Sequence, residues 1–114
     1  MGLRNIPTET PAQLASLVAA RPGMVASRSL TRDADSSMTL LAFSAGESVS
    51  EEVYPQDVMY YLVEGRATVT LPQRCVDMRA GDVLCVPAGV PSAVAGADPA
   101  AGFKLLQVAV PTNK

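Results

Sequence analysis

Turn signals punctuate this chain at short, regular intervals from Gly23 onward, and that spacing limits the fold more than any other feature. Asp33-Ala34-Asp35-Ser36-Ser37, Ala45-Gly46-Glu47, Glu64-Gly65, Leu71-Pro72-Gln73, Ala80-Gly81-Asp82 and Pro87-Ala88-Gly89 are all built from residues that favour tight reversals. Between them lie short runs rich in Val, Leu, Met, Thr and Tyr, at 24–30, 38–43, 49–54, 58–63, 67–71, 75–78, 83–86, 92–95 and 103–110. No helical run separates consecutive strands, so the crossovers that parallel strands require are missing. The expected class is therefore all-β, an antiparallel sandwich or barrel.

A chain of 114 residues can bury one continuous core but not two. Its 48% apolar and 18% charged content is that of a folding chain rather than a disordered one. The expected division is an arm with a short helix over 1–22 and a barrel over 23–114. In the arm, Thr10 is placed to cap a helix, Pro11 suits its first position, and Gln13 falls where a capping box takes Glu or Gln. Leu14, Leu17 and Val18 then form one apolar stripe, and Arg21-Pro22-Gly23 ends the run. That stripe is expected to cover an open side of the barrel. The segment 95–102, with its small residues and Pro99, reads as a surface loop.

Charge and cysteine content narrow the partners. Nine basic residues are scattered without a stripe in a chain of net charge −2, which leaves no electrostatic footprint for nucleic acid. No apolar run reaches the roughly 20 residues that span a bilayer. Met1 to Thr10 has neither the basic region nor the apolar core of a leader, so a cytoplasmic location and no membrane partner are expected. Cys75 and Cys85 are expected as reduced, structural thiols on neighbouring strands, behaving as small buried hydrophobes.

Two segments carry a family resemblance. Gly46-Glu-Ser-Val-Ser-Glu-Glu52-Val-Tyr54-Pro-Gln-Asp-Val58-Met-Tyr-Tyr-Leu-Val-Glu-Gly65 and Gly81-Asp-Val-Leu-Cys-Val-Pro87-Ala-Gly89-Val-Pro-Ser92-Ala-Val-Ala-Gly96 resemble the two motifs of the cupin superfamily. Gly46, Gly65, Gly81, Pro87 and Gly89 all fall at the cupin spacing, and the two motifs with the segment between them take in about half of the chain. The resemblance implies a cupin-type double-stranded β-helix, a jelly-roll barrel. It also implies a metal site, whose four ligand positions fall here on Glu52, Tyr54, Val58 and Ser92. None of these is histidine, and the chain contains none. Imidazole nitrogens are what give such a pocket its affinity for a divalent transition metal. With apolar Val58 and neutral Ser92 in the set, neither metal nor cofactor is expected. Asp57 is adjacent to the ligand position, but strand alternation turns it away from the interior unless a bulge shifts the register.

The same alternation puts Val58, Tyr60 and Leu62 on one face, so Glu52, Tyr54, Val58, Tyr60 and Ser92 are the candidate pocket. A few polar groups on an apolar background is the composition of a small-molecule site. Met38 and Leu40, with Leu84 or Cys85, are expected to supply its apolar wall. Three functions stay open: a metal-free binding domain for a small molecule, a metal-independent isomerase, epimerase or lyase using Glu52 with Tyr54 or Tyr60 as acid and base, and a dimer scaffold with a filled core. Some epimerases of the superfamily resemble the second but depend on a histidine. Cupins commonly pair through an outer sheet face, where Met59, Tyr61 and Val63 lie opposite Val58, and a homodimer is expected on that ground.

Overall fold

The structure, a computed structural model, describes residues 2–32 and 36–112. The turn expected around Asp33, Ala34 and Asp35 lies outside the described residues. Nine strands follow one another: β1 (Val25–Ser29), β2 (Ser37–Phe43), β3 (Ser48–Glu52), β4 (Asp57–Glu64), β5 (Arg66–Leu71), β6 (Arg74–Arg79), β7 (Val83–Val86), β8 (Ser92–Gly96) and β9 (Phe103–Val110). Each falls on one of the runs read from the turn spacing. They form a five-stranded sheet in the order β1-β2-β9-β4-β7 and a four-stranded sheet in the order β3-β8-β5-β6. Every strand pairing is antiparallel, as turns without crossover helices demand.

Strand alternation sorts the side chains into two apolar layers. Between the sheets, Phe43, Val58, Tyr60, Leu62, Val69, Val86, Val94, Phe103 and Leu105 make the main core. Phe43 and Phe103 are register partners on β2 and β9, and their rings stack with centroids 4.1 Å apart at 11°, filling one end of the barrel. Glycine is needed beside them. A Cβ on Gly65 would come within 2.9 Å of the Phe103 Cβ, and Gly65 itself sits at φ +87, where a side chain is strained whatever the space.

The second layer lies on the outer face of the five-stranded sheet. Leu40 and Ala42 of β2, with Leu30 and Val18, are buried there beneath the N-terminal arm, and Leu14, Leu17, Met38 and Leu106 pack around them. Met38 and Leu40 therefore belong to this outer layer and do not line the interior. Their register partners Val108 and Leu106 share that face, whereas Leu41 and Phe43 point inward. Across β4, Leu84 packs on the inner core and Cys85 faces outward.

The expected helix is a single 3₁₀ turn, Leu14–Leu17, with Gln13 as its first flanking residue and no side-chain cap. The apolar stripe is placed as expected, but the chain leaves the turn at once: Val18 is extended (φ −138, ψ 139) and 7% exposed. Burying Val18 against the sheet competes with the further turns that would make an α-helix, and a nucleus this short has little stability of its own. The Ser16 hydroxyl also donates back to Gln13 O at 2.7 Å, a local bond that favours a turn over helix propagation. Lys104 Nζ donates to Ala15 O at 2.7 Å and pins the turn to β9. Among the described residues no helix is long and apolar enough to cross a membrane.

The cysteines also depart from expectation. Both are free, but both are exposed, Cys75 on a strand of the four-stranded sheet and Cys85 on the other, because each takes an outward position in its strand's alternation. Gly65→Ala is expected to lower unfolding stability by about 3 kcal/mol, combining positive-φ strain with overpacking against Phe103. Gly81→Ala, at φ +97 but with open space around it, is expected to cost only about 1 kcal/mol. Urea unfolding of the two variants side by side checks the difference.

Candidate functional site

The end of the barrel opposite the phenylalanine stack gathers the polar residues. β3 and β8 pair with Val49 against Val94, and then with Glu52 against Ser92, so β3 takes one residue more than β8 between those points. This bulge is the local feature that matters most. Without it Glu51 would face Ser92; with it, the Glu52 carboxylate falls on that side. Glu52 is nevertheless exposed, at the rim rather than in the interior where the motif resemblance puts it.

Deeper in, Ser92 on β8 and Tyr60 on β4 are almost completely buried, at 1% and 2% exposure. The Tyr60 hydroxyl and Ser92 Oγ share a hydrogen bond of 3.1 Å that crosses from one sheet to the other. Each would otherwise be a buried polar group without a partner. Burial pushes the Tyr60 phenol above its ordinary value of 10.0; the Ser92 bond opposes that rise, and the nearby Tyr54 and Glu52 add to it. Tyr60 is thus a neutral donor or acceptor over the whole physiological range. Val58, 1% exposed, contributes to the apolar floor.

Tyr54 is half-buried against the core and is fixed through its backbone. Its carbonyl accepts the Gly89 N–H at 2.8 Å, and three residues on, Asp57 Oδ1 accepts the Ala88 N–H at 2.8 Å. The segment after β3 is thereby tied to the Pro87-Ala88-Gly89 turn. Asp57 holds the rim together and is not a stand-in ligand. Gln107 was not singled out by the sequence, yet it faces Tyr60 directly in the β4–β9 register and so shares its face. The alternation Phe103, Leu105, Gln107, Ala109 along β9 carries the signal, once the parity of that strand is known.

Five residues therefore lie toward this end of the barrel: Glu52, Tyr54, Tyr60, Ser92 and Gln107. Four of these, with Val58, are the ligand and pocket positions read from the sequence. They do not fit a transition metal. Glu52 is a lone carboxylate, Val58 has no donor atom, and Ser92 is engaged by Tyr60. Among the described residues no three His, Cys, Asp or Glu side chains gather in a way that could hold an ion.

Tyr60→Phe is expected to leave Ser92 Oγ buried without a partner and to destabilise the barrel by about 1–2 kcal/mol. Adding Ser92→Ala should recover part of that loss, so a double-mutant cycle by urea unfolding should show clear coupling. The folded chain holds the Tyr60 proton more tightly than the unfolded chain does. Stability from this group is therefore complete below pH 10.0 and declines as the pH rises from there through the folded-state value. Tyr60→Phe should flatten that alkaline decline.

Comparison with known proteins agrees with this architecture. No family model matches the chain. Among solved structures it is similar to a cupin superfamily protein from Desulfitobacterium hafniense, with a TM-score of 0.90 and 39% identity over 96% of this chain and 98% of that one. It also shares its fold with a conserved protein of unknown function from Streptococcus pyogenes, with a TM-score of 0.88 and 24% identity over 100% of this chain and 97% of the other. An uncharacterised protein of Streptomyces coelicolor is 37% identical over 59 residues, 52% of this chain; the match spans just over half, 56%, of that curated relative. The barrel topology, the framework glycines at cupin spacing and a 39% identical relative matched over nearly its whole length together establish that this chain belongs to the cupin superfamily.

Proposed function

We propose that the end of the barrel opposite the phenylalanine stack binds a small, uncharged, hydroxyl-rich molecule without the help of a metal ion. The observation that carries this reading is the β3 bulge, which puts Glu52 in register with Ser92 and close enough to the Tyr60 phenol to act on it. A carboxylate accepts hydrogen bonds only, whereas the tyrosine hydroxyls and the Gln107 amide both donate and accept. Together they suit a guest that carries several hydroxyl groups, above an apolar floor that includes Val58 and Val86. Glu52 stands in water and Tyr60 is engaged by Ser92, an arrangement suited to orienting a guest rather than to moving protons.

Thermal unfolding of the whole chain against a panel of sugars, sugar alcohols and hydroxy acids tests this. A neutral polyol at about ten times its Kd should raise Tm by about 5 °C, and carboxylated analogues should do less because Glu52 repels them. Glu52→Gln should weaken binding of the polyol about tenfold, the loss of one charge-assisted hydrogen bond, and leave the Tm of the free protein nearly unchanged. A panel without response, or a Glu52→Gln variant that binds as well as the parent, contradicts the proposal.

The outer face of the five-stranded sheet supports a second copy of the chain as partner. The arm covers the β2 side of that face, while toward β7 it leaves Met59 (37% exposed) and Val83 (63%) uncovered, with Tyr61 in register with Val83. Val110, 43% exposed, extends the same apolar area. Met59→Glu is expected to convert a dimer to a monomer in sedimentation velocity while the folded barrel persists.

A further inference from the structure

The free border of β1 offers a second site, remote in kind from the barrel mouth. β1 is an edge strand of the five-stranded sheet. Ser44 N–H donates to Met24 O at 3.3 Å and Leu30 N–H to Met38 O at 2.7 Å. With Val25 in register with Phe43, antiparallel alternation commits the backbone of Ala26 and Arg28, the Met24 carbonyl and the Leu30 N–H to β2. It turns the N–H and C=O groups of Val25, Ser27 and Ser29 away. The chain closes part of this border itself. Asn5 Nδ2 donates to Ser29 O at 2.8 Å, and beyond it the arm pairs Leu3 with Thr31 and donates Arg4 N–H to Leu30 O at 3.0 Å. From Val25 to Ser27 no described residue hydrogen-bonds the backbone on that side.

A cavity of about 480 Å³ lies along this uncovered stretch, between residues 24–28 and the returning arm at Leu17, Val18, Ala19 and Arg21. Arg21 and Arg28 are among the residues that line it. Arg28 is held in place by Leu17 O at 3.0 Å and Asn5 Oδ1 at 3.4 Å, both neutral acceptors. Among the described residues the ion pair present is Lys104 with Glu64, so neither Arg21 nor Arg28 has a carboxylate against it. This local positive charge stands against a chain of net charge −2. Met24, 44% exposed, adds an apolar wall.

We propose that this groove takes an extended peptide segment of another protein, which adds as a strand to β1 and presents an Asp or Glu side chain to Arg21 and Arg28. The unpaired groups of Val25 and Ser27 supply main-chain hydrogen bonds, and the two arginines select for the carboxylate. The uncovered stretch from Val25 to Ser27, at about 3.3 Å per residue, gives the guest a track roughly 10 Å long, enough for about three residues.

The probe is a fluorescein-labelled heptapeptide, Thr-Val-Thr-Glu-Thr-Val-Thr, together with its twin carrying Lys in place of the Glu, each titrated by anisotropy into the full chain. The Glu peptide is expected to bind about tenfold more tightly than the Lys peptide, with the amide signals of Val25 and Ser27 shifting on binding. Arg21→Glu should reverse the preference. Ser27→Pro, which deletes an N–H directed away from β2, should abolish binding of both peptides with the barrel still folded. Should that variant fail to fold, Arg21→Glu decides alone. Equal affinity for the two peptides, no binding, or full binding by Ser27→Pro overturns the proposal. So does a peptide-free dimer that Ser27→Pro dissociates, since the groove would then belong to a second copy of this chain.

Discussion

The stacked pair Phe43 and Phe103 sets the terms for the rest of the molecule. Two large rings joined across β2 and β9 occupy one end of the space between the sheets. Close packing around them admits no side chain at the nearest backbone approaches. A Cβ on Gly102 would come within 2.3 Å of Phe43 O, and one on Gly65 within 2.9 Å of Phe103 Cβ. With that end filled by aromatic rings, the polar side chains of the interior are placed toward the opposite end. The location of the site thus follows from where the aromatic volume was placed.

Between the sealed end and the rim, the Tyr60 to Ser92 bond is the polar tie across the core. An apolar pair would fill the same space, but a hydroxyl pair constrains how the two sheets face each other, because either partner alone is left unsatisfied. The outer layer beneath the arm has a different logic. There Leu40 and Ala42 are fully buried by a segment with almost no regular structure of its own, held by Val18 and by the Lys104 bond to Ala15. The arm is ordered by what it covers.

How much of this was legible in the sequence depended on the range of the interaction that decides each feature. The nine strands and their turns could be read because turn residues act within a few positions, and Gly65, Gly81 and Gly89 do sit at positive φ. That Tyr54, Tyr60 and Ser92 share one end of the barrel could be read because motif spacing and alternation carry them there. The rim position of Glu52 was not legible, since it depends on a bulge against β8. Nor was the outward parity of Met38 and Leu40, which apolar side chains on either face of β2 would have satisfied. The arm's helical signals at Thr10, Pro11 and Gln13 lost to the burial of Val18, a tertiary demand that propensity does not report. Cys75 and Cys85 are exposed for a similar reason: residue type favours burial, but strand parity decides it.

The two ties between the segment after β3 and the Pro87-Ala88-Gly89 turn make the rim uneven in stiffness. Tyr54 is anchored through its carbonyl and Asp57 through its carboxylate, so one wall of the mouth is already in place before anything arrives. Glu52, two residues earlier and in solvent, has no such anchor among the described residues. Any entropy lost on capture would then fall largely on that one flexible side chain. On the proposed binding reading, such a rim acts as a fixed jaw with a single moving finger, tolerant of guests that differ where the finger reaches and strict about those that differ where the jaw is set.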